Sequence, residues 1–191
     1  TQQFPQHQFA WKVLGAIFEQ SGRTSEAENA NQTSVALSPQ DAEAHYNLGN
    51  SLHILGRSEE AEASFTQAIA LKPDFANAHN NLGYTLQELG RLDEALASYT
   101  QAIALKPDYA DAHYNFGNAL KQLGRLEEAE ASFTQATVLK PDFAEAVLNL
   151  SIAKSYMNDL EAEIVSLQNV LQIDSDDYGL RAGVNLAICN F

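Results

Sequence analysis

The sequence predicts an all-α solenoid of stacked helix–turn–helix units, and three observations predict it. One stretch, Ala76–Tyr109, reads ANAHNNLGYTLQELGRLDEALASYTQAIALKPDY. It returns 34 residues later as ADAHYNFGNALKQLGRLEEAEASFTQATVLKPDF and 34 residues earlier as AEAHYNLGNSLHILGRSEEAEASFTQAIALKPDF; that period belongs to a repeated helix–turn–helix. Each half of the copy places small and apolar residues on one face of a 3.6-residue period. Glycine and proline punctuate every copy at the same two places, as helix ends require.

Composition agrees with a linear stack. The chain has 191 residues, 45% of them hydrophobic, and one cysteine, Cys189. A lone cysteine excludes an intrachain disulfide framework and a cysteine-based zinc site. No apolar run reaches membrane-spanning length and no signal peptide is visible, which points to the cytoplasm. The ends, Thr1 and an apolar-periodic Phe191, suggest a piece of a longer chain.

Taken in order, 1–7 is a lead-in containing Pro5. The array runs over 8–177 as five units, 8–41, 42–75, 76–109, 110–143 and 144–177. The segment 178–191 is a capping helix or, as the apolar Ile188 and Phe191 favour, the first helix of a truncated sixth unit. Numbering each unit from its first residue, positions 4, 7, 8 and 11 of the central first helix are His79, Leu82, Gly83 and Leu86, and positions 20, 24 and 27 of the second are Ala95, Tyr99 and Ala102. Small Gly83 and Ala95 allow close approach, with Tyr99 and Leu82 filling the space beside them. In the first unit Asn31 stands where later copies have Phe65, Tyr99 and Phe133, so its second helix should be looser. The fifth unit is degenerate, with Ser151 at the small position and Ser175 in place of proline.

The turns carry their own chemistry. Gly56, Gly90 and Gly124 end the first helices, where a left-handed residue costs least. Pro73, Pro107 and Pro141 stop the second helices, and Asp74, Asp108 and Asp142 are expected to cap the helices that follow. Acids in the first turns of the second helices, such as Glu59, Glu60, Asp93, Glu94, Glu127 and Glu128, suit the helix dipole, as do Lys72, Lys106 and Lys140 at their ends.

The unit AHYNLGNSLHILGRSEEAEASFTQAIALKPD resembles the tetratricopeptide repeat. Three copies lie close to its consensus and two flanking ones, Gln8–Asp41 and Ala144–Asp177, are weaker. His45, His79 and His113 depart from it, standing where Trp11 keeps the usual tryptophan. The resemblance implies antiparallel helix pairs wound into a right-handed superhelix, with the first helices lining a concave surface that commonly holds a peptide or a partner protein.

A second stripe on the first helices nominates the recognition residues. Position 6 is Asn47, Asn81, Asn115 and Asn149 in four successive units, and position 9 supplies Asn50, Tyr84 and Asn118. Stacked first helices would set these amides in a row, each offering donors and an acceptor to an extended peptide backbone, with Tyr46, Asn80 and Tyr114 beside them as contact area. The row resembles the asparagine ladder in the repeat domain of O-GlcNAc transferases. Replacing Asn81 and Asn115 by alanine is expected to weaken a peptide ligand and leave the fold intact. Another mode of the family, a carboxylate clamp for acidic C-terminal tails, is disfavoured, because only Lys12 and the asparagines fall at matching positions.

Other functions find less support. The recurring histidines lie about a helix diameter, roughly 10 Å, apart, too far to share one ion, so no metal and no cofactor is expected. No triad-like set, phosphate loop or H-E-x-x-H motif points to an enzyme, and no basic stripe points to nucleic acid. A net charge of −14 would steer a basic partner. The expected function is a non-catalytic scaffold binding protein or peptide along the concave face. The alternatives are the substrate-recruiting arm of a larger enzyme, such as a glycosyltransferase, and self-association through Tyr178–Phe191, giving a homo-oligomer. No membrane partner is expected.

Overall fold

The computed structural model describes residues 7–157, and among them every regular element is helical. The helices are α1 (Gln8–Gln20), α2 (Thr24–Leu37), α3 (Ala42–Ile54), α4 (Ser58–Leu71), α5 (Ala76–Glu88), α6 (Leu92–Leu105), α7 (Ala110–Gln122) and α8 (Leu126–Leu139). A further helical stretch, α9, covers residues 144–157. The expected lead-in, the second half of the fifth unit and the segment 178–191 lie almost wholly outside the described residues.

Each odd-numbered helix packs against the even-numbered helix after it, and each even-numbered helix packs against the next unit. This is the nearest-neighbour architecture of a solenoid. First helices of successive units also touch, α1 with α3, α3 with α5 and α5 with α7, while no comparable contact joins successive second helices. The first helices are therefore the more closely spaced row, and the stack bends toward them.

The core follows the period read from the sequence. Ala95, Tyr99 and Ala102 have no exposed surface, and Ala95 and Tyr99 join Leu86, Leu120 and Phe133 in one cluster that spans the third and fourth units. The close approach at position 8 is the device that pairs the helices. A methyl group on Gly83 would stand 2.7 Å from Cε1 of Tyr99, and one on Gly117 2.7 Å from Cε1 of Phe133, inside any tolerable contact. In the first unit the same place is filled differently. Asn31 is fully buried and its Nδ2 donates to Ser51 Oγ at 2.9 Å and to the Asn47 carbonyl at 3.2 Å. Ser51 Oγ in turn donates to Glu19 Oε1 at 2.8 Å. The second helix of that unit is thus held by a buried polar network in place of the ring.

The turns bear out the glycines and correct the aspartates. Gly56 and Gly90 adopt φ of 73° and 75°, the left-handed region that favours glycine. Asp74 and Asp108 do not cap: the N-cap residues of α5 and α7 are Phe75 and Tyr109, which make no side-chain cap bond. The aspartate comes one residue too early. Asp41, aligned with Phe75 instead of Asp74, does cap, accepting from the backbone N–H groups of Glu43 and Ala44. The aromatic residues at the uncapped positions are used in packing: Phe75 stacks on Tyr46 at 4.8 Å and Phe143 on Tyr114 at 4.7 Å.

Candidate interaction surface

The face where the first helices meet is organised by amides. Asn81 Nδ2 donates to Asn50 Oδ1 at 2.8 Å and to the Tyr46 hydroxyl at 3.2 Å, both on the preceding unit. Asn149 repeats the pattern one unit apart from α7, donating to Asn118 Oδ1 at 3.1 Å and the Tyr114 hydroxyl at 3.2 Å. The rule is that position 6 of one unit reaches positions 9 and 5 of the unit before it.

The third unit exchanges these two partners. It has Asn80 at position 5 and Tyr84 at position 9. Asn115 therefore donates to Asn80 Oδ1 at 3.1 Å, and Asn80 Nδ2 passes the chain on to Asn81 Oδ1 at 3.1 Å. Asn115, Asn80, Asn81 and Asn50 form one unbroken line of amide hydrogen bonds across three units. In the first seam, Lys12 and Ala16 occupy positions 5 and 9; Lys12 is turned to Asp41 and Glu43, so Asn47 has no amide or hydroxyl at those positions and lies half-buried.

This geometry sorts the residues nominated from the sequence. Asn81 and Asn149 are consumed in the seam: both use their Nδ2 twice, and their Oδ1 atoms accept from Asn80 and from Lys121 Nζ at 3.0 Å. Asn50 and Asn118 are engaged only through Oδ1, which leaves their N–H donors available. Tyr46 and Tyr114 are half-buried in the seam, tilted against Phe65 and Phe133 at 5.9 Å. Tyr84 is 41% exposed and meets His53 edge-on at 5.2 Å. Asn81 makes three hydrogen bonds in the seam, so its replacement by alanine carries a stability cost beside any effect on a ligand.

The charged groups divide between this face and the outer seam. Lys12 Nζ lies 3.0 Å from Asp41 Oδ2 and 2.5 Å from Glu43 Oε2. Burial alone would lower the Lys12 pKa, but Glu43 and Asp41 outweigh it and hold the ammonium above its ordinary value. Burial likewise opposes ionisation of Asp41, yet Lys12, the Ala44 N–H and Gln8 bring its carboxyl below the usual range. Lys12 is thus neutralised by its own chain, which removes the one cation of a possible carboxylate clamp. Burial pushes the Tyr109 phenol up to about 12, with Tyr46 and the carboxylate of Asp111 adding to the shift.

Sequence reasoning passed over the arginines. Arg57 and Arg91 stand before α4 and α6 and grip Glu60 and Glu94 three residues on. They also reach back to the preceding unit, Arg57 to Glu28 at 2.5 Å and Arg91 to Glu62 at 2.8 Å. Arg125 holds Glu128, and the preceding unit has Leu96 at the position where the earlier units have glutamate. The signal was present as an Arg followed by Glu at the third residue in each copy, a spacing that puts both on one helix face. The histidines also have a structural task. Nε2 of His45, His79 and His113 donates to the carbonyl of Pro39, Pro73 and Pro107 at 3.0 Å, tying each first helix to the turn before it. Among the described residues no group of His, Cys, Asp and Glu is placed to hold a metal ion, and no helix is long and apolar enough to cross a membrane.

Comparison with known proteins places this architecture. A family profile described as TPR repeat matches residues 49–90 and 86–124. Two described as tetratricopeptide repeat match residues 30–63 and 110–143. No curated protein matches the chain. Among solved structures, it is similar to MamA at 27% identity with a TM-score of 0.68, over 74% of this chain and 82% of that one. It is similar to YrrB, described as a TPR protein with an unusual peptide-binding site, at 22% identity and TM-score 0.68, over 94% and 92% of the two chains. PilF of Pseudomonas aeruginosa aligns at 20% identity and TM-score 0.74, over 95% and 90%. At these last two identities the likeness concerns the fold alone.

Proposed function

Because the chain belongs to the tetratricopeptide repeat family, we propose that it is a non-catalytic interaction scaffold that receives an extended segment of a partner protein along the face where its first helices meet. The observation that carries this reading is the line of half-buried amides between those helices. It spends Asn81 and Asn149 on the wall itself and leaves the N–H donors of Asn50 and Asn118 unspent. An extended backbone offers carbonyl acceptors at regular intervals, which such donors can meet with little regard to side chains. YrrB, of the same fold, is described as having a peptide-binding site, which lends the reading analogy and no residue.

The test is selection from a displayed library of random peptides, followed by titration of the selected peptides. Asn50→Ala with Asn118→Ala should weaken them roughly tenfold, the effect of losing about 1.4 kcal/mol. Gln67→Ala with Gln135→Ala, exposed residues of α4 and α8, should leave affinity unchanged. Equal affinity in both double variants would refute the reading.

A further inference from the structure

We infer that the partner segment is basic, with lysine or arginine recurring at every third residue; this rests on the groove reading above. The chain itself supplies the template. In the first seam, position 5 is Lys12, and its ammonium sits on the carboxylate at position 2 of the next unit, Glu43. In the later seams position 5 is Tyr46, Asn80 or Tyr114, all neutral. The carboxylates that follow at position 2, Asp111 and Glu145, are exposed and receive no cation from that position. A lysine brought by a ligand repeats there the contact that Lys12 makes to Glu43.

A separate observation points the same way. Tyr84 is on this face only because the third unit exchanges positions 5 and 9. In the second and fourth units the tyrosine is tucked against Phe75 or Phe143, whereas Tyr84 leaves its ring 41% exposed. Glu88 lies one helical turn beyond it, on the same face of α5, with its side chain 42% exposed. An aromatic face beside a carboxylate is a receptor for an ammonium or guanidinium group. His53 lies against both, edge-on to Tyr84 and with Nδ1 3.3 Å from Glu88.

Most cations of the described residues are spent elsewhere. Arg23, Arg57, Arg91 and Arg125 bind glutamates of the second helices. Lys72, Lys106 and Lys140 lie over the rings of Phe75, Tyr109 and Phe143 at the turns. On the first helices Lys121 lies against Asn149 Oδ1 at 3.0 Å, and against that cation Glu88, Asp111 and Glu145 leave the groove face net negative. Spacing follows from geometry: successive first helices are about 10 Å apart, and an extended chain advances about 3.3 Å per residue, so neighbouring carboxylates match side chains three residues apart.

The experiment is fluorescence anisotropy with the intact chain and three labelled peptides in one Gly/Ser/Ala background, carrying Lys, Gln or Glu at every third residue. The Lys peptide should bind roughly tenfold tighter than the Gln peptide at low salt, with the advantage shrinking as salt rises. It should be lost in Glu88→Gln/Asp111→Asn/Glu145→Gln and kept in Glu59→Gln/Asp93→Asn/Glu127→Gln, which removes equal charge from the second helices. If the Gln peptide binds as tightly as the Lys peptide, the inference is overturned and the groove reading stands. If both triple variants weaken the Lys peptide equally, attraction is to net charge alone and the inference is overturned. If no peptide binds, both readings fall.

Discussion

Gly83 tests the packing argument most sharply. Gly83→Ala places a Cβ 2.7 Å from Cε1, 2.8 Å from Cδ1 and 3.1 Å from Cγ of Tyr99. Ordinary contact begins at about 3.4 Å, so the ring or the helix must retreat by roughly 0.7 Å. The ring cannot swing away freely, because Tyr99 is fully buried and its hydroxyl donates to Gln87 Oε1 at 2.9 Å. Overpacking of this kind costs about 1–3 kcal/mol, and the gain from glycine to alanine in a helix interior returns about 1 kcal/mol. The expected net effect is a loss of up to about 2 kcal/mol. The assay is urea unfolding followed by far-ultraviolet circular dichroism, run as a double-mutant cycle with Tyr99→Leu, which removes the ring edge that the methyl group meets. In the Tyr99→Leu background Gly83→Ala should be stabilising, giving a coupling of about 1–3 kcal/mol. Stabilisation of the otherwise unaltered chain by Gly83→Ala, or a cost unchanged when the ring is gone, would refute close approach as the reason for the glycine.

Two further outcomes follow from the seams. Asn81→Ala should lower stability by about 1–3 kcal/mol, its two donated hydrogen bonds at about 0.5–1.5 kcal/mol each. Asn115→Ala, which gives up one donor bond, should cost about half as much, and thermal melts of the two variants side by side decide the order. At the first seam, Asp41 has a folded pKa below its unfolded value, so its contribution is present above about pH 4 and is lost as pH falls through the depressed folded value. Acid unfolding of Asp41→Asn should therefore show a shallower loss over that range than the parent chain, and an identical acid limb would contradict the Lys12–Asp41 pairing.

Most of the fold was legible before any coordinates, for a physical reason. Burial of Tyr99, Leu86 and Ala95 is dictated by helical periodicity, which is local and repeats in every copy, and the left-handed glycines announce themselves because few other residues tolerate that backbone. The one-residue error at Asp74 and Asp108 shows where locality ends. Whether an aspartate caps depends on the residue at which the chain turns into the helix, and an aromatic required for packing has taken that place. Asn31 differs: its Nδ2 gains Ser51 Oγ and the Asn47 carbonyl from the next unit, partners no local pattern announces, while its buried Oδ1 has none among the described residues.

By itself, then, the sequence determined the period, the helix pairs, the faces they bury and the row in which the asparagines stand. Only the tertiary structure decided which of those asparagines are spent. The partners of Asn81, Asn115 and Asn149 lie 31 to 35 residues away, on a neighbouring helix whose offset and rotation are set by how the units stack. Identical residues at identical positions, such as Asn47 and Asn81, have Lys12 and Ala16 at the partner positions in one seam and a tyrosine and an amide in the next, and that difference belongs to the neighbour, not to the repeat.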